Sequence, residues 1–244
     1  MGFEIRTVRE EPSSTMAGLF SAYAAMKPTF DAKMADLFES IEDGIAKTND
    51  LGKLPLWADY KKLKDYGRPI GDNPKRKMAD VRTKADYCQF YAWLADVLQP
   101  EAILEFGAAF GASGMYWLAG LGQRQSGTLY SFEPNPVWHP IAEQNFNAIS
   151  DRHLLTLGTF EDNLDVIKPK VQISLIDAIH TRSFVDKQFE LVRSVSAPGA
   201  LVLFDDIHFS PDMKECWQHH ARNPEFPGVW TLGSRVGVVE LPKD

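Results

Sequence analysis

The sequence predicts an α/β fold: a doubly wound, mostly parallel seven-stranded sheet with a C-terminal antiparallel hairpin, plus an N-terminal helical extension. Three observations carry this expectation. After Pro100 short apolar runs alternate with stretches at helical spacing, the pattern of βαβ units whose parallel sheet is covered on both faces. Two closing runs, Val229–Leu232 and Val236–Leu241, flank a short turn at Gly233–Arg235, as an antiparallel hairpin would. Before residue 80 the apolar residues instead recur at helical spacing only.

Taken in order, Thr15–Phe38 and Leu37–Lys47 carry Met16, Leu19, Phe20 and Tyr23, then Met34, Leu37, Phe38, Ile41 and Ile45, on one helical face. Pro28 starts or interrupts a helix there. Asn49–Lys77 is rich in Gly, Pro, Lys and Asp and reads as a long surface segment. Thr83–Leu98 is an amphipathic helix ended by Gln99-Pro100. Strands follow at Ala102–Phe106, Thr128–Glu133, Leu154–Leu157, Gln172–Asp177 and Ala200–Asp205, with helices at Ser113–Leu121, Val137–Ala148, Phe160–Ile167 and Arg182–Val195. Asp212–Arg222 reads as a further helix. The chain thus divides into a helical extension, 1–82, suited to a lid or an oligomer contact, and an α/β domain, 83–244.

Composition narrows the function classes. The 244 residues are 44% hydrophobic and 24% charged, enough apolar material for a packed core. The formal net charge is −7, which speaks against a nucleic-acid clamp, since phosphate binding leaves a basic footprint. The two cysteines, Cys88 and Cys216, form no CxxC pair or disulfide framework and favour a reducing cytoplasm. No apolar run is long enough to span a bilayer, and Met1–Pro12 lacks a signal peptide's apolar stretch.

Two features gather at strand ends, where open α/β sheets bind ligands. Glu105-Phe-Gly-Ala-Ala-Phe-Gly-Ala-Ser-Gly114 runs from a strand through a glycine turn into a helix. Gly107 and Gly111 permit unusual backbone angles and a ligand's close approach, and the helix start offers free N–H groups. The alternative is a plain strand–helix turn. Glu133 ends the next strand, 22 positions after Gly111, where an acid grips ribose hydroxyls in this architecture. The glycine spacing, Gly107-xxx-Gly111-xx-Gly114, departs from the GxGxxG dinucleotide fingerprint. An acid before the first glycine sits poorly beside a pyrophosphate and well beside a cationic amino acid. Both points favour S-adenosylmethionine (SAM). No GxxxxGK[ST] loop is present.

A third feature bears on chemistry. One strand ends Asp177-Ala-Ile-His180 and the next ends Asp205-Asp206-Ile-His208. Adjacent strand ends would bring Asp177, Asp205 and Asp206 to one rim, where three bare carboxylates repel. A hard divalent cation removes that cost, and a carboxylate-plus-water ligand set suits Mg²⁺. The alternatives are helix capping by the acids and a role for Asp177 in SAM binding alone. His208 is a second candidate base. His219 and His220, adjacent in a helix, face different directions.

Glu105-x-Gly-Ala-x-x-Gly-x-Ser113 resembles motif I of the class I SAM-dependent methyltransferases, in their catechol O-methyltransferase-like branch, over roughly Thr83 to Leu241. The resemblance implies that Glu105 holds the methionine ammonium. The turn residues Gly107, Ala108 and Gly111, with Ser113 and nearby N–H groups, would hold the rest of the amino-acid end. Glu133 would hold the ribose, and Thr159 and Phe160 the adenine. The acid motifs resemble those of the metal-dependent members, with Asp206 at a position commonly Asn and His180 at a position commonly Lys. Asp-x-x-His is similar to the macrocin-type sugar O-methyltransferases, in which the His serves as general base. The implied chemistry is Mg²⁺ chelation by Asp177, Asp205 and Asp206 of two vicinal oxygens on a small catechol-like or sugar acceptor. His180, whose free pKa is about 6.5, would take the proton. Competing readings are a metal-independent methyltransferase and a non-catalytic SAM-binding module. Trp57, Tyr60, Tyr66, Phe110, Trp138 and Trp217 are candidate pocket aromatics, and Lys53–Lys77 holds the one basic stretch.

Overall fold

The computed structural model describes residues 2–26, 29–59 and 74–243. Strand β1 (Ile5–Glu10) comes first and is not anticipated by the hydropathy pattern. Helix α1 (Ala17–Met26) starts where Ser14 Oγ accepts from the Ala17 N–H. Helix α2 (Ala32–Asn49) starts at Asp31, whose carboxylate accepts from the Met34 N–H at 2.8 Å, a cap that fixes the boundary before the predicted Leu37. Its Met34, Phe38, Ile41 and Ile45 form the buried stripe expected from their spacing. Two-residue strands β2 (Leu54–Pro55) and β3 (Lys75–Arg76) pair with each other. Helices α3 (Met78–Val81) and α4 (Ala85–Leu98) lead into the sheet.

From there the chain alternates as expected: β4 (Ala102–Phe106), α5 (Ala112–Gly122), β5 (Thr128–Glu133), α6 (His139–Asn147), β6 (His153–Leu157), β7 (Val171–Ile176), α7 (Arg182–Val195), β8 (Ser196–Phe204), α8 (Pro211–Arg222), and the hairpin β9 (Gly228–Leu232) and β10 (Val236–Glu240). The helix predicted at Phe160–Ile167 is only a 3₁₀ turn, Leu164–Val166. Polar side chains there compete for local bonds: Thr159 Oγ1 donates to Asp162, and Asn163 Nδ2 donates to the Thr159 carbonyl. Pro169 closes off any extension.

The strand order is β1-β9-β10-β8-β7-β4-β5-β6. The pairs β8–β7, β7–β4, β4–β5 and β5–β6 are parallel, and β10 joins β8 antiparallel. Strand β1 pairs antiparallel with β9 and makes an eighth strand. Its Arg6, Arg9 and Glu10 mask any apolar alternation, and long-range bonds fix it instead: Trp230 Nε1 donates to Glu10 at 2.8 Å and Arg9 to the Phe226 carbonyl at 3.0 Å. The chain winds outward from β4 through β5 and β6, then returns through β7 and β8. The carboxyl ends of β4 and β7 therefore form the switch point where such sheets take ligands.

Each face of the sheet carries its own core. On one, α1, α2, α4 and α5 pack Phe20, Phe38, Phe90, Tyr91 and Trp117 against the sheet; Phe20 stacks on Trp230 with ring centroids 4.3 Å apart. On the other, α7 and α8 cover the sheet through Phe189, Val192 and Trp217. The N-terminal helices thus share a core with the α/β unit. Arg82, just after α3, donates to both Glu42 oxygens at 2.7 and 2.8 Å, and Tyr116 of α5 donates to the same carboxylate. No helix among the described residues is long and apolar enough to cross a membrane. Both cysteines are free and buried.

Candidate active site

A cavity of about 460 Å³ opens at the switch point. One end of it is made by the turn after β4. Gly107 sits at φ +81°, and a Cβ there would lie 2.4 Å from the Asp177 carbonyl oxygen, so only glycine fits. Gly111 sits at φ +90° against the Phe146 ring. Ala109 is also left-handed, at φ +50°, and its N–H donates to Glu133 at 2.7 Å; the Asn135 N–H donates to the other Glu133 oxygen at 2.8 Å. Burial pushes the Glu133 carboxyl up to about 7, against the pull of those two bonds. Glu133 lines the cavity with Gly107, Thr159 and Phe160. Phe160 packs edge-on to Phe106 and Phe132.

Glu105 and Ser113 are placed differently from the resemblance. Glu105 is fully buried and lines no part of the cavity. Ser113 Oγ and Ser131 Oγ both donate to it at 2.6 Å. Burial raises its carboxyl, and the two hydroxyls oppose that. Its visible work is to tie the β4 end to the start of α5 and to β5. Ala108 and Ser113 border a small recess beside Gly107 and Asp177.

At the other end lies the acid rim. His180 Nε2 is 3.6 Å from Asp177 Oδ1 and 3.5 Å from Asp206 Oδ2, and all three residues line the cavity. Burial lowers the His180 pKa, and the negative charge of Asp206 and Asp205 opposes this. Asp206 stands in the left-handed region at φ +51°, a conformation asparagine and aspartate tolerate best among residues with a Cβ. Burial pushes the Asp177 carboxyl well up, and Asp205 adds to this.

Arg235, from the β9–β10 turn, enters this rim. Its Nε lies 2.8 Å from Asp205 Oδ1, its Nη2 lies 2.5 Å from Asp205 Oδ2, and Nη2 is 3.5 Å from Asp206 Oδ1. The Asp205 side chain is 0% exposed and, unlike Arg235, does not line the cavity. Sequence reasoning placed Arg235 only in a turn; no local motif marks it, since its partner is 30 positions away. The three acids expected to chelate Mg²⁺ are thus gathered, but the Asp205 carboxylate has both oxygens on a guanidinium. As placed, the set does not fit a divalent cation.

The remaining candidates separate cleanly. His208 is exposed, faces the Ser234 carbonyl at 2.7 Å and does not line the cavity. His220 is buried and sits 2.8 Å from Asp186 Oδ1, with Cys216 Sγ 3.5 Å from the same oxygen. Asp186, Cys216 and His220 bring ligand-type atoms within 4.8 Å of one another outside the cavity. Trp57 and Trp138 line the cavity, whereas Phe110 packs behind Trp138 and Trp217 lies in the core. Tyr60, Tyr66 and the 61–68 part of the basic stretch lie outside the described residues.

The donor set fits SAM: a glycine cradle, a carboxylate facing the cavity where hydroxyls would come, and an aromatic wall. The methyltransferase-domain family matches residues 104–207. No curated protein matches the chain. Among solved structures, the O-methyltransferase from Bacillus cereus in complex with SAH shares 18% identity, with 93% of this chain and 98% of that chain covered and a TM-score of 0.58. TomG from Streptomyces achromogenes, an O-methyltransferase of tomaymycin synthesis in complex with SAM, shares 14% identity, with 92% and 96% covered and a TM-score of 0.59. SAH-bound methyltransferase PaMTH1 from Podospora anserina shares 14%, with 89% and 98% covered and a TM-score of 0.57. The methyltransferase-domain match spans the glycine turn and both acid motifs, and the chain shares its fold with these methyltransferases.

Proposed function

We propose that the chain is an O-methyltransferase acting on a hydroxyl of a small molecule, with His180 as general base. One observation carries this: His180 lies in the same cavity as Gly107 and Glu133, with its Nε2 between Asp177 and Asp206. SAM, when bound, supplies an activated methyl group on its sulfonium. Glu133 would accept hydrogen bonds from the ribose hydroxyls, and the Gly107 turn would let the amino-acid end approach the backbone. His180 would take the acceptor's proton, and the Asp206 carboxylate beside it would stabilise the imidazolium that forms. The acceptor wall mixes Trp57, Phe184 and Phe209 with Arg76 and Arg82, which suits a polar aromatic or a sugar. Leu56 and Trp57 put the extension on that wall, in keeping with a lid role for part of residues 1–82.

The test is SAH release across a panel of catechols, sugar diols and simple phenols, together with calorimetry of SAM binding. His180→Ala is expected to lower turnover by about 10²- to 10⁴-fold while SAM affinity stays within about twofold. An unchanged rate in His180→Ala would remove it as the base. SAM binding with no turnover on any hydroxyl would favour a non-catalytic binding module.

A further inference from the structure

We infer that the Arg235 guanidinium is this site's own cation: it takes the place among Asp177, Asp205 and Asp206 that a divalent ion would need, and the rim works without metal. This rests on the methyltransferase reading for its purpose but not for its geometry.

The geometry supplies four supports. Arg235 meets Asp205 side-on through Nε and Nη2 and reaches Asp206 with the same Nη2. A two-point guanidinium–carboxylate pair fixes orientation as well as charge. Asp205 is sealed behind it, so a cation arriving from the cavity meets the guanidinium first. The backbone holds the intruding residue in place, because the Ile207 N–H donates to the Arg235 carbonyl at 3.0 Å. Hairpin turn and acid rim are thereby locked together. Finally, the repulsion that made a divalent ion attractive in the sequence is already relieved by a group that carries its charge at every accessible pH.

The substitution has a consequence for the acceptor. A metal ion would bind two vicinal oxygens at once. A guanidinium already committed to Asp205 offers hydrogen-bond donors and no coordination sites. The acceptor then needs one hydroxyl within reach of His180, and a vicinal diol is not required.

Mn²⁺ binding, read by electron paramagnetic resonance on metal-stripped protein, tests this. Mn²⁺ is a hard cation for carboxylate sites and reports binding without any acceptor or turnover. The expected result is no specific Mn²⁺ site in the wild type up to about millimolar concentration, and one site gained in Arg235→Ala. That site should be lost again when Asp177→Ala is added. Arg235→Gln, which keeps a hydrogen bond to Asp205 without the charge, serves where the alanine variant does not fold. One tight Mn²⁺ site in the wild type would overturn the inference. A folded Arg235→Ala or Arg235→Gln that still binds no Mn²⁺ would also overturn it, because something other than Arg235 would then exclude the ion. Failure of the O-methyltransferase assignment leaves both outcomes unchanged, so the two can be told apart.

Discussion

At the glycine-turn end of the cavity, where we propose that SAM binds, the deciding groups lie between Gly107 and Glu133, on one βαβ unit. At the acid rim they come from three places far apart in the chain: the ends of β7 and β8 and the turn of the β9–β10 hairpin. The first end is held by backbone. Left-handed residues at Gly107, Ala109 and Gly111, and N–H groups on Glu133, leave little to adjust. The second is held by a balance of charges in which three carboxylates face one guanidinium and one imidazole. Backbone geometry tolerates almost no substitution. A charge balance can be rebuilt with a different cation, which is why the two ends should fail in different ways.

The sharpest way to break the comparison is Gly107→Ala. The added methyl meets the Asp177 carbonyl at 2.4 Å in a backbone region that favours glycine. SAM affinity is expected to fall about 100-fold, roughly 2.7 kcal/mol, with a lowered Tm. An affinity within threefold of wild type, measured by calorimetry, would show that the turn does not hold the cofactor.

Glu133→Gln comes next, with an expected loss of about tenfold in SAM affinity, in line with a hydrogen bond to a charged group. Its pH dependence sharpens the point. Glu133 holds a proton up to about pH 7 in the free protein, and only the carboxylate offers all its lone pairs to ribose hydroxyls. Affinity should therefore rise from pH 6 to 8 in the wild type, level off above that, and stay flat in Glu133→Gln. A wild-type profile with no slope there would separate Glu133 from the ribose.

The smallest effect belongs to a third place, the Arg82–Glu42 pair of the extension, whose carboxylate also accepts from Tyr116 of the α/β unit. Its side chains are 19% and 40% exposed, so solvent screens much of the attraction. Glu42→Gln should cost about 0.5–1 kcal/mol, read as a fall in Tm of about 1–4 °C. A much larger fall would mean that the extension and the α/β unit depend on each other more than this one pair conveys.

How much of this was legible depended on where each signal lay. The strands from β4 to β8 announced themselves because a buried parallel strand is a short apolar run, and β9 and β10 because two such runs flank a short turn. Strand β1 did not, because an edge strand carrying Arg6, Arg9 and Glu10 owes its place to β9 rather than to its own pattern. The expected helix at Phe160–Ile167 failed because Thr159, Asp162 and Asn163 satisfy one another locally. Glu133 and His180 could be picked out as strand-end polar residues. That Glu105 would be spent on Ser113 and Ser131 could not, since nothing in the sequence says which way a strand-end side chain turns.

The sequence by itself determined the alternation of strands and helices, the glycine turn and the presence of acids at successive strand ends, because each is written in residues close along the chain. Only the tertiary structure decided which acids face the cavity, that the N-terminal helices join the same core, and that Arg235 stands among the carboxylates. Those outcomes depend on packing across the sheet, where residues distant in sequence compete for the same few ångströms and the same charge.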